Sequence, residues 1–458
     1  MRLEVGTFRI REVVFGRRTR LESGVLELNK QELLDGVLKD PYVARADIDI
    51  ARPGEPTRII EYENIIEPKL KVEGVGTPYP GVCGRPTEMV GAGRTHRLGG
   101  VSVIECLDLS DIPEAVMGES RQWGREHEQH EVREGTLDSP VHHRFLDMSG
   151  PGAVTPYASL INVCLVVKPV NGLPAQEQHY VSFSNSLKLA DRLAELTRGL
   201  KPHEEEVFDT TPKPGLPGVV YIPHMASTEP VVGAKGTYGT AVYGQVRLSA
   251  PWYLTGTEML DGAVCGGGAG AVSGGGATWR MANNPIVMAL WRRHTKELNF
   301  LGCLIQRTNW TNQNEYRMAA DRASQLCLAL GVRGAILTTD IRGQRWVGTM
   351  LTLQSCEGAG IKTVLLTEEE DNENGGAPPL LFSSPEFAAG VSTGTGDVPG
   401  FNPVSRVIGT IERAPEAWFR ALPPIHGRYG VTHVQDYFGF GKDSYGDFFV
   451  PPIAQPVR

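Results

Sequence analysis

Four short stretches carry the side chains best suited to chemistry. Gly93-Arg94-Thr95-His96 sets a cation, a hydroxyl and an imidazole in consecutive positions behind a glycine. Arg94 could hold a carboxylate through two parallel hydrogen bonds. Thr95 could add a hydroxyl contact to the same substrate, and His96 could move a proton or bind a metal. Asp147-Met148-Ser149-Gly150-Pro151-Gly152-Ala153 puts a carboxylate and the Ser149 hydroxyl on a tight loop, so Asp147 is expected to face the cleft of Arg94 and His96. His224 ends a strand-like run, a favoured ligand position, and joins His96 as the candidate metal pair. Ser392-Thr393-Gly394-Thr395-Gly396 adds Thr393 and Thr395 as candidate substrate contacts.

Plainer readings compete with each of these. A lone histidine is more often a hydrogen-bonded core residue than a ligand. His127, His130, His142 and His143 crowd a polar stretch that reads as a solvated insertion or a lid, and no third ligand sits at a recognised zinc spacing. No GxSxG elbow, HExxH motif or CxxC pair occurs. Cys356 reads as a packed thiol. The most unusual segment runs from Cys265 to Gly276, with seven glycines in twelve residues. Its backbone entropy forbids helix or ordinary strand. It lacks the lysine and hydroxyl of a phosphate-binding loop. It reads as an exposed linker, or as a processing or substrate loop that lets another backbone approach.

The elements that must position these residues follow from the apolar periodicity. Short alternating runs near 3–10, 24–29 and 47–53 predict strands around one helix at 30–38. Residues 160–168 form a continuous apolar run, as a buried strand does, and 184–200 carry a helical leucine period. The acidic, proline-rich stretch 201–217 marks a boundary. Beyond it strands at 218–222, 300–305, 334–339 and 361–367 alternate with helices at 284–296 and 315–330. Asn284 and Pro285 read as N-cap and first residue of the former, and Gly331 ends the latter. The expected class is α/β. A mixed α+β N-terminal domain, 1–205, carries a His-rich insertion at 111–145. A doubly wound, mostly parallel α/β domain, 206–458, carries the Gly-rich loop at 265–276. Ligands of such sheets lie at the carboxyl ends of the strands. That points to Thr338, Thr339 and Asp340, to Thr367, Glu368 and Glu369, and to the 392–396 loop.

Composition narrows the function. The 458 residues carry a net charge of -8, which argues against a general nucleic-acid binder. No apolar run is long enough for a membrane span, and the polar opening Met1-Arg2-Leu3-Glu4 lacks a signal-peptide pattern. Seven scattered cysteines argue for a reducing cytoplasm.

In order along the chain, a further set of segments resembles one family. They include Leu3-Glu4-Val5-Gly6, Asp47-Ile48-Asp49-Ile50-Ala51-Arg52-Pro53-Gly54-Glu55, and Ile66-Glu67-Pro68-Lys69-Leu70-Lys71-Val72-Glu73-Gly74. Pro80-Gly81-Val82, Gly93-Arg94-Thr95-His96, Asp147-Met148-Ser149-Gly150, Asn283-Asn284-Pro285 and Gly360-Ile361-Lys362-Thr363 follow. The chain resembles the α/β proprotein of component B of the glycine/sarcosine/betaine reductases. That resemblance implies a cut before a cysteine in an Asn-Cys pair, and a pyruvoyl group made from that cysteine. It also implies a selenoprotein partner that cleaves the substrate's C–N bond reductively. Counting back from Asn283-Asn284-Pro285, the Asn-Cys pair falls on Gly268-Ala269, and no Asn-Cys dipeptide exists in this chain. An alanine has no β-heteroatom to eliminate, so Ala269 cannot yield the group. Cys265 and Ser273 are the nearby substitutes.

The expectation is thus an unprocessed relative, working in a hetero-oligomer with a relative of the selenoprotein B subunit of glycine/betaine reductase. Its substrate is a small amine, amide or N-heterocycle. A pyruvoyl cofactor is not expected. A divalent metal such as zinc, on His96 and His224, would turn the reading toward a C–N hydrolase. A non-catalytic scaffold subunit is the alternative.

Overall fold

The computed structural model describes residues 1–108, 145–225, 241–245, 250–266, 278–307, 310, 312–339, 343–367, 382–393, 400–422 and 424. The class is α/β, with several mixed sheets and one sheet rich in parallel pairs. Glu204–Asp209, Arg2–Arg9, Gly93–Gly99 and Lys69–Glu73 form, in that order, a four-stranded sheet. A second is built from Val43–Ala51, Ile161–Pro169, Val101–Leu107 and Tyr62–Ile66. Every residue of Ile161–Pro169 is buried, which is why that stretch reads as one apolar run instead of alternating. The helix Ala175–Glu195 covers this sheet through Val181, Leu187, Leu189, Ala190 and Leu193. It begins earlier than the leucine period predicts, because Pro174 starts it and its first turns are polar. Gly199, at φ +76°, lies just beyond its end.

The second half is organised on a six-stranded sheet. Its order is Trp252–Leu254, Asn299–Arg307, Gly218–Met225, Val332–Thr339, Lys362–Thr367 and Gly390–Ser392. Only Trp252–Leu254 pairs antiparallel. Numbered by sequence, the five parallel strands run 2-1-3-4-5. The helices Gln313–Ala329 and Gly343–Gly358 pack together on one face, over Val220, Ile222, Leu304 and Leu337. The other face joins the main core with Tyr221, Met225, Cys303 and Ile305, where Trp279, Ile286 and Val287 pack. Asn284 caps the helix Pro285–Arg293 as expected, its Oδ1 accepting from Ile286 N and Val287 N at 3.0 and 3.1 Å. Gly331, at φ +72°, follows the helix Gln313–Ala329.

Two strand pairings tie the first 60 residues to later parts of the chain. Glu204–Asp209 pairs antiparallel with Arg2–Arg9, and Arg406–Ile408 pairs parallel with Thr57–Ile60. Arg58 fixes this late return. It meets both Asp147 oxygens at 2.6 and 2.9 Å, and it donates to the carbonyls of Asn402, Trp418 and Arg420. Among the described residues no helix is long and apolar enough to cross a membrane.

Candidate functional site

The strand Gly93–Gly99 presents the Arg94-Thr95-His96 motif inside a sheet, not on a free loop. It lies parallel to Arg2–Arg9 and antiparallel to Lys69–Glu73. Arg94 does bind a carboxylate, but it is Glu4 of the neighbouring strand, whose Oε2 alone accepts from Nε and Nη2 at 3.2 and 2.8 Å. Thr95 points to the opposite side and donates to Asp261 Oδ1 at 2.6 Å. Asp261 Oδ2 accepts from Gly91 N at 2.7 Å and pairs with Lys71. His96 Nδ1 lies 3.0 Å from the Thr197 hydroxyl, and its ring centroid is 4.9 Å from that of Phe8. Burial holds its imidazole below the ordinary histidine range.

The motif around 67–71 extends the same network. Glu67 meets Lys69 at 3.0 Å and Arg97 at 4.0 Å. Asn283 donates to Glu67 at 3.2 Å and accepts from Arg97 at 3.4 Å, and Lys69 also donates to the Leu260 carbonyl. Burial pulls the Lys69 ammonium down, against the pull of Glu67. These family-like residues therefore join the N-terminal sheet to residues 260–283.

The remaining expected site residues sit in other sheets. Asp147 is 0% exposed on the strand Phe145–Asp147, with both oxygens held by Arg58. It faces that guanidinium instead of a cleft shared with Arg94 and His96; burial raises its carboxyl and Arg58 opposes the rise. Ser149 is half-buried in the following turn. His224 is fully buried in the six-stranded sheet, with Nε2 3.2 Å from the Thr352 hydroxyl. Burial drives its pKa to about 3, against the backbone carbonyls of Thr338 and Ile222, so the ring is neutral. Thr393 is half-buried beyond a sheet edge, and its N–H donates to the Thr367 carbonyl at 2.9 Å. Among the described residues no group of three or more His, Cys, Asp and Glu side chains could hold a metal ion. Thr395, Gly268, Ala269, Ser273, Asp340, Glu368, Glu369 and the histidines 127, 130, 142 and 143 lie outside the described residues.

Both ends of the glycine tract are in place. Val264–Cys265 pairs antiparallel with Ala241–Val242, so Cys265 is a strand residue, 3% exposed. Burial pushes its thiol well above the ordinary range. Asn64 ties the two ends together. Its Nδ2 donates to the Gly266 carbonyl at 2.9 Å, and its Oδ1 accepts from Thr278 N at 2.9 Å. Thr278 also donates to the Gly266 carbonyl at 3.3 Å. The helix Thr278–Ala282 then brings Trp279 against Tyr157, ring centroids 5.6 Å apart, and buries Arg280 completely.

On the strand behind this helix, the Tyr221 hydroxyl lies 2.8 Å from that of Thr338. Burial lifts the Tyr221 phenol far above its usual range, while Thr338, Asn284 and Arg280 pull it back. This cluster lies against the strands whose carboxyl ends the sheet rule singles out. Sequence reasoning missed Asn64 and Arg280, which belong to no motif. It saw Asn284 as a cap and as part of the family-like Asn283-Asn284-Pro285 segment.

Comparisons place these features in a family, although no solved structure matches this chain. The sarcosine reductase complex component B subunit alpha of Peptoclostridium acidaminophilum is 31% identical over 425 residues, 90% of each chain. The glycine reductase complex component B subunits alpha and beta of Acetoanaerobium sticklandii are 30% identical over 427 residues, again 90% of each. The betaine reductase complex component B subunit alpha of P. acidaminophilum is 31% identical over 90% of this chain and 88% of its own length. The family profile described as glycine/sarcosine/betaine reductase component B subunits matches residues 1–417. By the match over residues 1–417 and the 31% identity to a relative covered over 90% of its length, this chain belongs to the glycine/sarcosine/betaine reductase component B subunit family.

Proposed function

We propose that this chain is the substrate-binding subunit of a heteromeric enzyme acting on a C–N bond of a small amine, amide or N-heterocycle, without a pyruvoyl group of its own. The observation that carries the reading is the glycine tract. Where the family resemblance puts the precursor cysteine, this sequence has Ala269, which offers no β-heteroatom. Cys265 fits the role poorly, since it is buried and strand-paired with its thiol pushed up. Forming a pyruvoyl needs a reactive side chain beside a backbone carbonyl free to distort. Both ends of the tract are nonetheless fixed in place, held by Asn64.

The relatives are named as subunits of reductase complexes, which supports a hetero-oligomer with a relative of the selenoprotein B subunit. This chain has no CxxC motif, so electrons for a reductive cleavage would come through that partner.

The test uses the complex with its partner and N-methylglycine as probe, under borohydride. A carbonyl group on this chain would capture the amine, and reduction would fix it as a stable secondary-amine adduct. The reading predicts no added mass on this chain, with amine release that needs both subunits. An adduct on this chain would overturn the absence of pyruvoyl. Release by the partner alone at the same rate would make this chain a scaffold.

A further inference from the structure

The densest basic run of the chain is an exposed turn. Residues 9–20 hold five arginines and one carboxylate, in a chain whose net charge is -8. The turn leaves the strand Glu12–Phe15, which pairs with Val25–Leu28. Glu27 organises it. Its Oε1 accepts from Arg17 N at 2.9 Å and Arg18 N at 3.3 Å, and its Oε2 accepts from Arg20 Nε at 2.7 Å. Asn29 donates to the Arg17 carbonyl at 2.9 Å. A Cβ at Gly16 would collide with the Glu27 carboxylate, so only a glycine there lets that carboxylate close on the turn. Glu27 is thereby spent on two backbone amides and Arg20. The Arg17 and Arg18 side chains are exposed, with no hydrogen-bond or ion-pair partner among the described residues. Phe15, two residues earlier, is 42% exposed. Two unpaired arginines on a fixed turn, next to an exposed ring, have the composition of an interface anchor.

The complement of that anchor lies on the same chain. Among the described residues Glu204–Asp209 is an edge strand, paired only with Arg2–Arg9. Glu205, Val207 and Asp209 alternate onto one face, and all three are exposed, Val207 to 53%. The other face carries the buried Phe208, and Glu206 with Arg97. Glu205 stands opposite Gly6, which brings no side chain, and has no hydrogen bond or ion pair among the described residues. Asp209 Oδ1 accepts from Thr211 N and the Thr211 hydroxyl at 3.0 and 2.7 Å. The face is thus an apolar spot between two carboxylates. Both surfaces lie on one side of the molecule. Val207 pairs with Glu4, and Glu4 with Arg94, so His96 shares their face. His96 meets Thr197, just past the helix Ala175–Glu195, at 3.0 Å. Arg192 of that helix donates to Glu32 Oε1 at 2.8 Å, and Glu32 Oε2 accepts from Thr19 of the arginine turn at 3.0 Å.

We propose that two copies of this chain associate through these surfaces, the Phe15-Arg17-Arg18 turn of each seated on the Glu205-Val207-Asp209 face of the other. Phe15 covers Val207 of the second copy, and the two guanidiniums reach the carboxylates on either side of it. A two-fold pair makes the contact twice, which closes the assembly instead of extending it. The net charge of -8 makes the copies repel over most of their surface. Association is therefore confined to the orientation that brings the arginine turn to the acidic face. This pairing is independent of the reaction the chain serves.

The experiment is sedimentation equilibrium of the full chain, without other proteins, at low and high salt. The parent should sediment at twice its 49.9 kDa, and its dissociation constant should rise with sodium chloride. Arg17→Glu with Arg18→Glu turns like charge onto the carboxylates and should weaken the pair by roughly tenfold or more. Glu205→Arg should weaken it several-fold. The chain carrying all three substitutions regains an opposite-charge contact, and should pair more tightly than the chain with only the first two. All three positions are exposed, and each variant is first checked for a cooperative melt at the parent's temperature. A parent that stays monomeric at micromolar concentration would overturn the proposal. So would an Arg17→Glu, Arg18→Glu chain that pairs as tightly as the parent, or a triple variant that regains nothing. A monomeric parent whose Arg17→Glu, Arg18→Glu variant also fails to join the partner subunit would overturn it and assign the turn to that subunit.

Discussion

Two polar regions of this protein follow opposite charge logic. Around the strand Gly93–Gly99 every cation named above meets a carboxylate: Arg94 with Glu4, Lys71 with Asp261, Lys69 and Arg97 with Glu67. Behind the glycine tract the named contacts are between neutral groups: Asn64 with Gly266 and Thr278, and the Tyr221 hydroxyl with that of Thr338. The first region has the more chemistry-like sequence, and its groups are engaged in holding the fold. The second has almost no motif, and neutral hydrogen bonds hold it together. Residue types that look reactive in a sequence can be spent entirely on holding the fold.

Variants can break or sharpen that contrast. The largest effect is expected in the satisfied region. Asp261→Ala strips the acceptor from Lys71, Thr95 and Gly91 and leaves a buried ammonium unpaired. It should cost about 3–5 kcal/mol of stability, read from urea unfolding. A cost below about 1 kcal/mol would show that the network does not hold the frame.

Acid should reach the parallel sheet next. His224 is kept neutral, with its folded pKa lowered to about 3 from the ordinary 6.5. A depressed histidine contributes stability that is present above its unfolded pKa. That contribution falls away as pH drops from about 6.5 toward 3, by up to roughly 4 kcal/mol. Unfolding curves across that window should show the loss, and His224→Leu should flatten part of it. His96 and His294, lowered in the same direction by burial, add to the slope, as do carboxylates held below their usual range such as Glu32 and Glu357.

Asn64→Ala removes the tie between Gly266 and Thr278, and leaves the Ile65 and Thr278 N–H groups without their acceptor. A loss of about 2 kcal/mol is expected in the same unfolding assay. The smallest effect belongs to Arg94→Ala. Its pair with Glu4 is exposed to solvent and screened by salt. The melting temperature should stay within experimental error of the parent, and a drop of several degrees would show that this exposed pair holds the frame after all.

The four longer strands of the parallel sheet were legible because each carries an apolar run, and its helices carry ordinary punctuation: Asn284 and Pro285 at one start, Gly331 after one end. The late return to Thr57–Ile60 was not legible. It depends on Arg58, whose five donors reach Asp147 and three carbonyls more than 340 residues downstream. No local pattern encodes such a pairing. The early start of Ala175–Glu195 was hidden because its first turns are polar and the leucine period begins later. The motif residues Arg94, Thr95, His96 and Asp147 were visible as residue types, but their partners Glu4, Asp261, Thr197 and Arg58 were not. Sequence separation concealed what satisfies them.

The most direct test of the account is the intact mass of the freshly purified chain under denaturing conditions. It predicts one uncut polypeptide near 49.9 kDa. Two fragments splitting within 265–273, the second opening on a blocked carbonyl terminus, would contradict it and restore a pyruvoyl subunit.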